Sequence, residues 1–217
     1  MMKHYPLNVA GRDFVVGDIH GCFTKLKSEL RDIAFNESID RLFSVGDLVD
    51  RGTESEQSLE WLDKPWFHAV RGNHEQLAID AEKGFYDPGH YTANGGAWFI
   101  SLTPPERLKF ADAFIALPIA LDVETSAGLI GIVHAECPVS DWGDMAARLD
   151  DGHAGQFAQA CVWSRDRATN KDTSVVAGVK HVIVGHTPMQ RPIQLGNVIY
   201  IDTGAVFGRE LTIIQIQ

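Results

Sequence analysis

The sequence predicts an α/β fold: two mixed β-sheets flanked by helices, in a single domain over residues 1–217 with a helical insertion at approximately 84–116. Three observations carry that expectation. Short apolar runs alternate with amphipathic helical patterns through the first third of the chain, as a βαβαβ unit requires. Runs of β-branched residues dominate the C-terminal half, as a second sheet requires. Between them, a stretch rich in Gly, Asn, Asp and Tyr leads into a well-capped helix.

Asp13 to Ile19 (DFVVGDI) is a buried strand ending in Gly-Asp. Leu26, Leu30 and Ile33 then recur at i, i+4 and i+7, predicting a helix from Cys22 to Ala34. Arg41 to Asp47 (RLFSVGD) repeats the strand pattern. Thr53 with Glu56 has capping-box spacing, predicting a helix through Leu62 that Pro65 stops. Phe67 to Gly72 gives a third strand, with a helix from about Glu75. Residues 84 to 97 read as a loop, followed by a short helix from Ala97 to Leu102. Thr103-Pro104-Pro105-Glu106 combines an N-cap, an N1 proline and an N3 glutamate, opening a helix that runs to about Ala116. Strands are then expected at 119–123, 129–134, 181–186, 198–202 and 211–216, with weaker helices at 144–149 and 156–163.

Composition narrows the function. The net charge of −10 disfavours a nucleic-acid-coating protein, which needs a basic face. No apolar run reaches the roughly 20 residues of a membrane helix, and MMKHYPLN is not a signal-peptide core. Cys22, Cys137 and Cys161 form no C-x-x-C pair, so a disulfide framework or structural zinc is not expected, and a reducing cytoplasm is.

The chemistry gathers at strand ends. The first strand closes in Gly17-Asp18-Ile19-His20-Gly21, the second in Gly46-Asp47-Leu48-Val49-Asp50-Arg51-Gly52, and the third in Arg71-Gly72-Asn73-His74-Glu75. Asp18 and Asp47 are 29 residues apart and Asp47 and Asn73 are 26 apart, each close to one βαβ period of about 30. Parallel strands bring such tips to the sheet edge where open α/β sheets bind ligands. Later strands add His134 and His186. Asp18, His20, Asp47, Asn73, His134 and His186 mix hard oxygen with imidazole, which suits Mn, Fe or Zn. Six ligands exceed one tetrahedral ion but serve two divalent ions about 3.5–4 Å apart if a carboxylate bridges. Asp47, on the central tip, is the candidate bridge.

GDIHG, GDLVDRG and RGNHE, in this order, with His134 and GHTP beyond them, resemble the metal-dependent serine/threonine phosphoprotein phosphatase family, of the type found in bacteriophage lambda and its bacterial relatives. The likeness runs from about residue 13 to the C-terminus. It implies a calcineurin-like metallophosphatase sandwich whose first metal takes Asp18, His20 and Asp47, and whose second takes Asp47, Asn73, His134 and His186. It implies phosphate contacts from Arg51, Arg71 and Arg165, and a general acid, His74, oriented by Asp50. Attack by a bridging metal-bound hydroxide, with Mn²⁺ as the expected metal, would hydrolyse phosphoserine or phosphothreonine on protein substrates, with phosphotyrosine and phosphohistidine as further candidates. No nucleic acid, membrane or obligate subunit is implied. The visible departure is Glu136, where relatives carry Asp; it bears on loop contacts rather than on metal binding. On this reading the acidic total belongs to the surface, because two divalent ions and the arginines reverse the sign at the site.

The same residues bear on three rival functions. A dinucleoside polyphosphate hydrolase shares the metal motifs, but those enzymes resemble GDLVARG, with alanine where this chain has Asp50. Cys161 to Arg167 has the C-x₅-R spacing of cysteine-dependent phosphatases but holds Trp163 and no intervening glycine. A binding protein without turnover should have lost a ligand or His74, and none is missing. His4, His68, His90, His153 and His181 read as surface or packing residues, and Tyr86, Tyr91 and Trp98 as candidate cleft walls.

Overall fold

Asp13–Val16 (β2), Arg41–Ser44 (β3) and Phe67–Ala69 (β4) pair in parallel, as their apolar runs and intervening helices require. Phe23–Asp32 (α1) and Ser58–Leu62 (α2) form the crossovers. The computed structural model describes residues 1–150 and 154–217; His153 lies outside them. Alternate residues of each strand point to opposite faces, and both faces are buried. Phe14, Val16 and Leu42 pack outward beneath α1, with Trp61 and Trp66, whereas Val15 and Phe43 face the second sheet.

That second sheet comprises Met2–Tyr5 (β1), Ala120–Thr125 (β5), Gly128–Val133 (β6), His181–Val184 (β7), Ile193–Leu195 (β8) and Val198–Tyr200 (β9). Their order across it is β1-β5-β6-β7-β9-β8. Leu121, Val123, Ile130, Ile132 and Ile183 meet Val15, Phe43 and Val45 between the sheets. The outer face carries Val133, Val182 and Val184 under Asp144–Asp150 (α7) and Ala154–Trp163 (α8).

The chain ends exchange sheets. β1, which the sequence does not signal, pairs with β5, while the last strand, Ile213–Gln215 (β10), returns antiparallel to β2 in the first sheet. The expected 53–62 helix is shorter: residues 55–57 form a 3₁₀ turn and α2 begins at Ser58, with no capping box at Thr53. Ser55 is instead drawn to the site, its Oγ accepting the Asp50 N–H at 2.9 Å.

Asn73–Glu82 (α3) starts two residues before the expected Glu75, because the Glu75 carboxylate at N3 accepts the N–H of Gly72 at 2.8 Å. The expected 84–97 loop contains a short helix at Pro88–Tyr91 (α4) and a π turn at Thr92–Gly96 before Ala97–Ile100 (α5). Pro104–Ile115 (α6) has the expected cap, with Thr103 N–H and Oγ1 both on Glu106 Oε2 at 2.8 and 2.6 Å. It packs on α3, so the insertion closes over the strand tips. Asp166–Asn170 (α9) completes the helices. Among the described residues, no helix is long and apolar enough to cross a membrane.

Candidate metal centre

Among the described residues, seven non-glycine residues have positive φ, and five lie at strand tips: His20, Asp47, Asp50, Arg51 and His186. The left-handed region is disfavoured for side chains with a Cβ, and such strain gathers at functional sites. Here it turns each tip sharply, so that side chains from β2, β3, β6 and β7 converge. Gly185 permits the closest approach, since a Cβ there would collide with Asp18 Oδ1. The His186 N–H then donates to both Asp18 oxygens, at 3.2 and 3.1 Å.

The three ligand-candidate histidines share one device. Val49 O accepts from His20 Nδ1 at 2.8 Å, Val45 O from His134 Nδ1 at 2.7 Å, and Trp163 O from His186 Nε2 at 3.1 Å. Each outer N–H is spent on a main-chain carbonyl, which leaves the inner nitrogen of a neutral ring as a lone pair. Burial favours that neutral form, pushing His20 and His186 down to about 3 and lowering His134 as well.

Those lone pairs face other acceptors. His134 Nε2 and His186 Nδ1 both lie 2.8 Å from Asn73 Oδ1, and His134 Nε2 is 3.4 Å from Asp47 Oδ1. His20 Nε2 is 3.5 Å from Asp47 Oδ2 and receives Arg51 Nη1 at 2.6 Å, so a guanidinium stands where a cation is wanted. Asp47, His134 and His186 offer ligand atoms within 4.8 Å of one another, as do His20, Asp47 and His74. Asp18, Asp47, Glu75 and Asp202 crowd four buried carboxyl groups around these rings. Burial and the neighbouring charges of Asp202 and Asp47 raise Asp18 well above the carboxylate range. Converging lone pairs amid unbalanced negative charge fit divalent cations.

His74 is treated differently. Its Nδ1 lies 2.7 Å from Asp50 Oδ2, and both side chains are buried. Burial alone would lower its pKa, but the charge of Asp47 and the Asp50 hydrogen bond outweigh that and raise it. Asp50 is fixed in turn. Tyr91 Oη and Trp98 Nε1 donate to its Oδ1 at 3.0 and 2.7 Å. Tyr91 does not line a substrate cleft as expected, because it is fully buried; it and the half-buried Trp98 both hold Asp50. The insertion also supports Arg51, whose N–H reaches Gly95 O at 3.4 Å, a position where positive φ and crowding both call for glycine.

The arginines divide. Arg51 is exposed beside His20, with Phe207 5.8 Å beneath its guanidinium, and Arg165 Nη2 donates to His186 O at 3.2 Å. Arg71 is directed elsewhere. Its guanidinium caps the C-terminal end of α6, on the carbonyls of Phe114, Ile115 and Leu117 at 3.1, 2.5 and 3.2 Å. The resemblance placed Arg71 with the phosphate-binding arginines; in the structure its Nε and Nη2 donate to carbonyls that the end of α6 leaves unpaired, and its Nη1 to Gln76 Oε1 at 3.2 Å.

Three residues given no role by the sequence reading support the site. Glu75 accepts the N–H groups of Asp47 and Leu48 at 2.9 and 2.8 Å, holding the β3 tip open. Asp202, beside Asp18, ends an apolar strand just as Asp18 does, so the strand-tip signal was there to be read. Glu136, the departure from the family pattern, anchors the segment carrying Arg165 by accepting the Arg167 N–H at 3.1 Å and Ser164 Oγ at 3.4 Å. The C-x₅-R rival has no geometry: burial pushes the Cys161 thiol up to about 12, and Arg167 binds the carbonyls of Asp172 and Ser174.

The model of the calcineurin-like phosphoesterase family matches residues 14–194, which span every one of these strand tips except that of β9. The chain belongs to that family. Members use divalent metal ions, and this calcineurin-like phosphoesterase presents the donor set for them. It is 41% identical over 207 residues to serine/threonine-protein phosphatase 1 of Salmonella typhimurium, covering 94% of this chain and 91% of that protein. It is 28% identical over 218 residues to the bis(5'-nucleosyl)-tetraphosphatase of Bacillus velezensis, covering 91% and 86%. A solved serine/threonine phosphatase from Saccharomyces cerevisiae shares the fold, with TM-score 0.61 and 17% identity over 99% of this chain and 82% of that one.

Proposed function

We propose that this phosphoesterase hydrolyses phosphoserine and phosphothreonine on proteins, with a dinuclear centre and His74 as general acid. The buried Asp50–His74 pair, braced by Tyr91 and Trp98, carries this reading. A serine or threonine alkoxide is a poor leaving group and must receive a proton as the P–O bond breaks. A nucleoside phosphate leaves without that help. A braced, proton-holding imidazole is therefore matched to a monoester of an alcohol. The 41% identical relative with a serine/threonine phosphatase name supports the same choice over the 28% identical nucleotide hydrolase.

Asp18, His20 and Asp47 would hold one ion, and Asp47, Asn73, His134 and His186 the second, with Mn²⁺ preferred and Fe or Zn as alternatives. Divalent ions there supply charge neutralisation of the phosphate and acidify the water that attacks phosphorus. The protein's own groups do the rest. Arg51 and Arg165 orient the equatorial phosphate oxygens with planar donors. Arg71 would join them only by releasing α6. Asp50 keeps the His74 proton on the ring until the alkoxide takes it. Phosphoprotein substrates need no added subunit in this scheme, and three free thiols suit a cytoplasmic setting.

The test compares phosphoserine, phosphothreonine and phosphotyrosine peptides with a dinucleoside tetraphosphate, in manganese and with chelator controls. Chelator-sensitive preference for phosphoserine and phosphothreonine is expected. Preferential cleavage of the nucleotide would replace this reading with the tetraphosphatase one.

A further inference from the structure

Beside the site lies a cavity of about 700 Å³ that Arg51 shares with α1 residues Lys25, Ser28 and Arg31. Arg31 and Thr24 also line an adjoining cavity of about 470 Å³, floored by Trp61 and Trp66 and edged by Lys27 and Lys64. The two form one track running from the phosphate end of the site along α1. Five of its side chains are basic, against the two acids Glu54 and Glu37, in a chain with 19 basic and 29 acidic residues. Glu54 is itself occupied, accepting the Thr24 N–H at 2.7 Å as well as the Thr24 hydroxyl. Lys64 is paired with Glu60 at 3.2 Å, so the positive excess lies with Lys25, Lys27, Arg31 and Arg51, against the sign of the whole molecule.

We infer that this track reads acidic residues flanking the phosphorylated side chain of the substrate. The inference rests on the phosphoprotein reading above and names the substrate class within it. Lys25 and Arg31 are six residues apart on α1, about 9 Å, which an extended peptide covers in about three residues. An acidic residue near the phosphoserine would face Lys25, and one about three residues further would face Arg31. Lys25 also donates to the carbonyl of Arg209, which directs its ammonium toward the Arg51 end. Trp61 and Trp66, buried with Lys64 about 5.5 and 5.9 Å from their rings, offer an apolar floor beyond.

The experiment measures kcat/KM for three phosphoserine peptides that differ only in having Glu, Gln or Lys on both flanks. p-Nitrophenyl phosphate serves as a substrate without flanks. The acidic peptide should exceed the neutral one by about tenfold at low salt, mostly through KM, and the advantage should shrink at high salt. Lys25→Glu/Arg31→Glu should invert the order of the Glu and Lys peptides while sparing p-nitrophenyl phosphate. Arg31→Glu alone, which leaves the Lys25–Arg209 contact intact, should reduce the preference without affecting the fold. Phosphopeptide turnover indifferent to flanking charge, or an equal loss on every substrate in both variants, overturns this inference and leaves the proposed activity standing. Absence of phosphopeptide turnover alongside cleavage of a dinucleoside tetraphosphate overturns both.

Discussion

On one side of the site, His20, His134 and His186 give their outer N–H groups to main-chain carbonyls. On the other, with its ring centre 4.7 Å from that of His20, His74 turns Nδ1 to a carboxylate. All four rings are buried, yet their basicities move in opposite directions. The difference lies in the partner. A carbonyl fixes the tautomer without adding a charge, so burial prevails and an inward lone pair results. The Asp50 carboxylate adds its hydrogen bond and charge to the pull of Asp47, and together they outweigh burial, so the ring keeps its proton. Metal ligand and proton donor are thus separated by what stands behind each imidazole, over a distance of one ring.

The largest break in this comparison comes from the residue both sides share. Asp47 accepts the His74 N–H at 3.0 Å and faces His20 and His134. Asp47→Asn, or a chelator, is expected to take turnover of alkyl and aryl phosphates alike to background. Metal content by elemental analysis should fall with it; full metal content with lost activity would show that Asp47 acts on chemistry alone.

Asp50→Asn separates the two sides. It is expected to cost about 10–100-fold in kcat on phosphoserine peptides and to leave metal content unchanged. The loss should deepen as pH rises, because a ring deprived of the carboxylate releases its proton sooner. A pH-independent loss would assign Asp50 to packing.

How far the site was legible in the sequence follows from the same contrast. The six metal-ligand candidates lie at strand tips whose apolar runs and glycines mark the turns, so period and residue type pointed to them, whereas the roles expected of His74 and Asp50 came from the family resemblance. The supports did not show, because they act across long separations. Tyr91 and Trp98 are 41 and 48 residues from Asp50, in a stretch that reads as a loop with no periodic signal. Arg71 carries the right residue type beside the right motif, yet its side chain is claimed by the end of a helix about 44 residues on. The fold was legible where strands were apolar and buried. It was not legible at β1, whose MKHY pattern gains its meaning only from pairing with β5.

Two smaller effects sharpen the account away from the chemistry. Arg71→Ala should reduce stability by about 1–3 kcal/mol, read as a lower Tm, by orphaning the α6 carbonyls. A large kcat loss with unchanged Tm would return Arg71 to the phosphate. His68 supplies a half-buried imidazole with no metal-centre role, its ring packed 4.5 Å from Tyr5 and 5.3 Å from Phe43. Burial pushes its pKa down to about 4, so the unfolded chain binds the proton first. Its contribution is fully present above about pH 6.5 and lost as pH falls toward 4, at most about 1.4 kcal/mol per pH unit. His68→Phe should flatten that part of the acid limb in denaturant titrations; an unchanged slope would assign the acid sensitivity to other groups.

The separation of ligand from acid is tested most directly by one ratio: kcat/KM on a phosphoserine peptide divided by kcat/KM on an aryl phosphate, in His74→Asn and in the unaltered protein, both loaded with manganese. An aryloxide departs without much protonation, whereas an alkoxide needs it. The ratio should fall by about 10²-fold or more in His74→Asn, with metal content unchanged. An unchanged ratio, with both substrates slowed equally, would contradict the assignment of His74 as the proton donor.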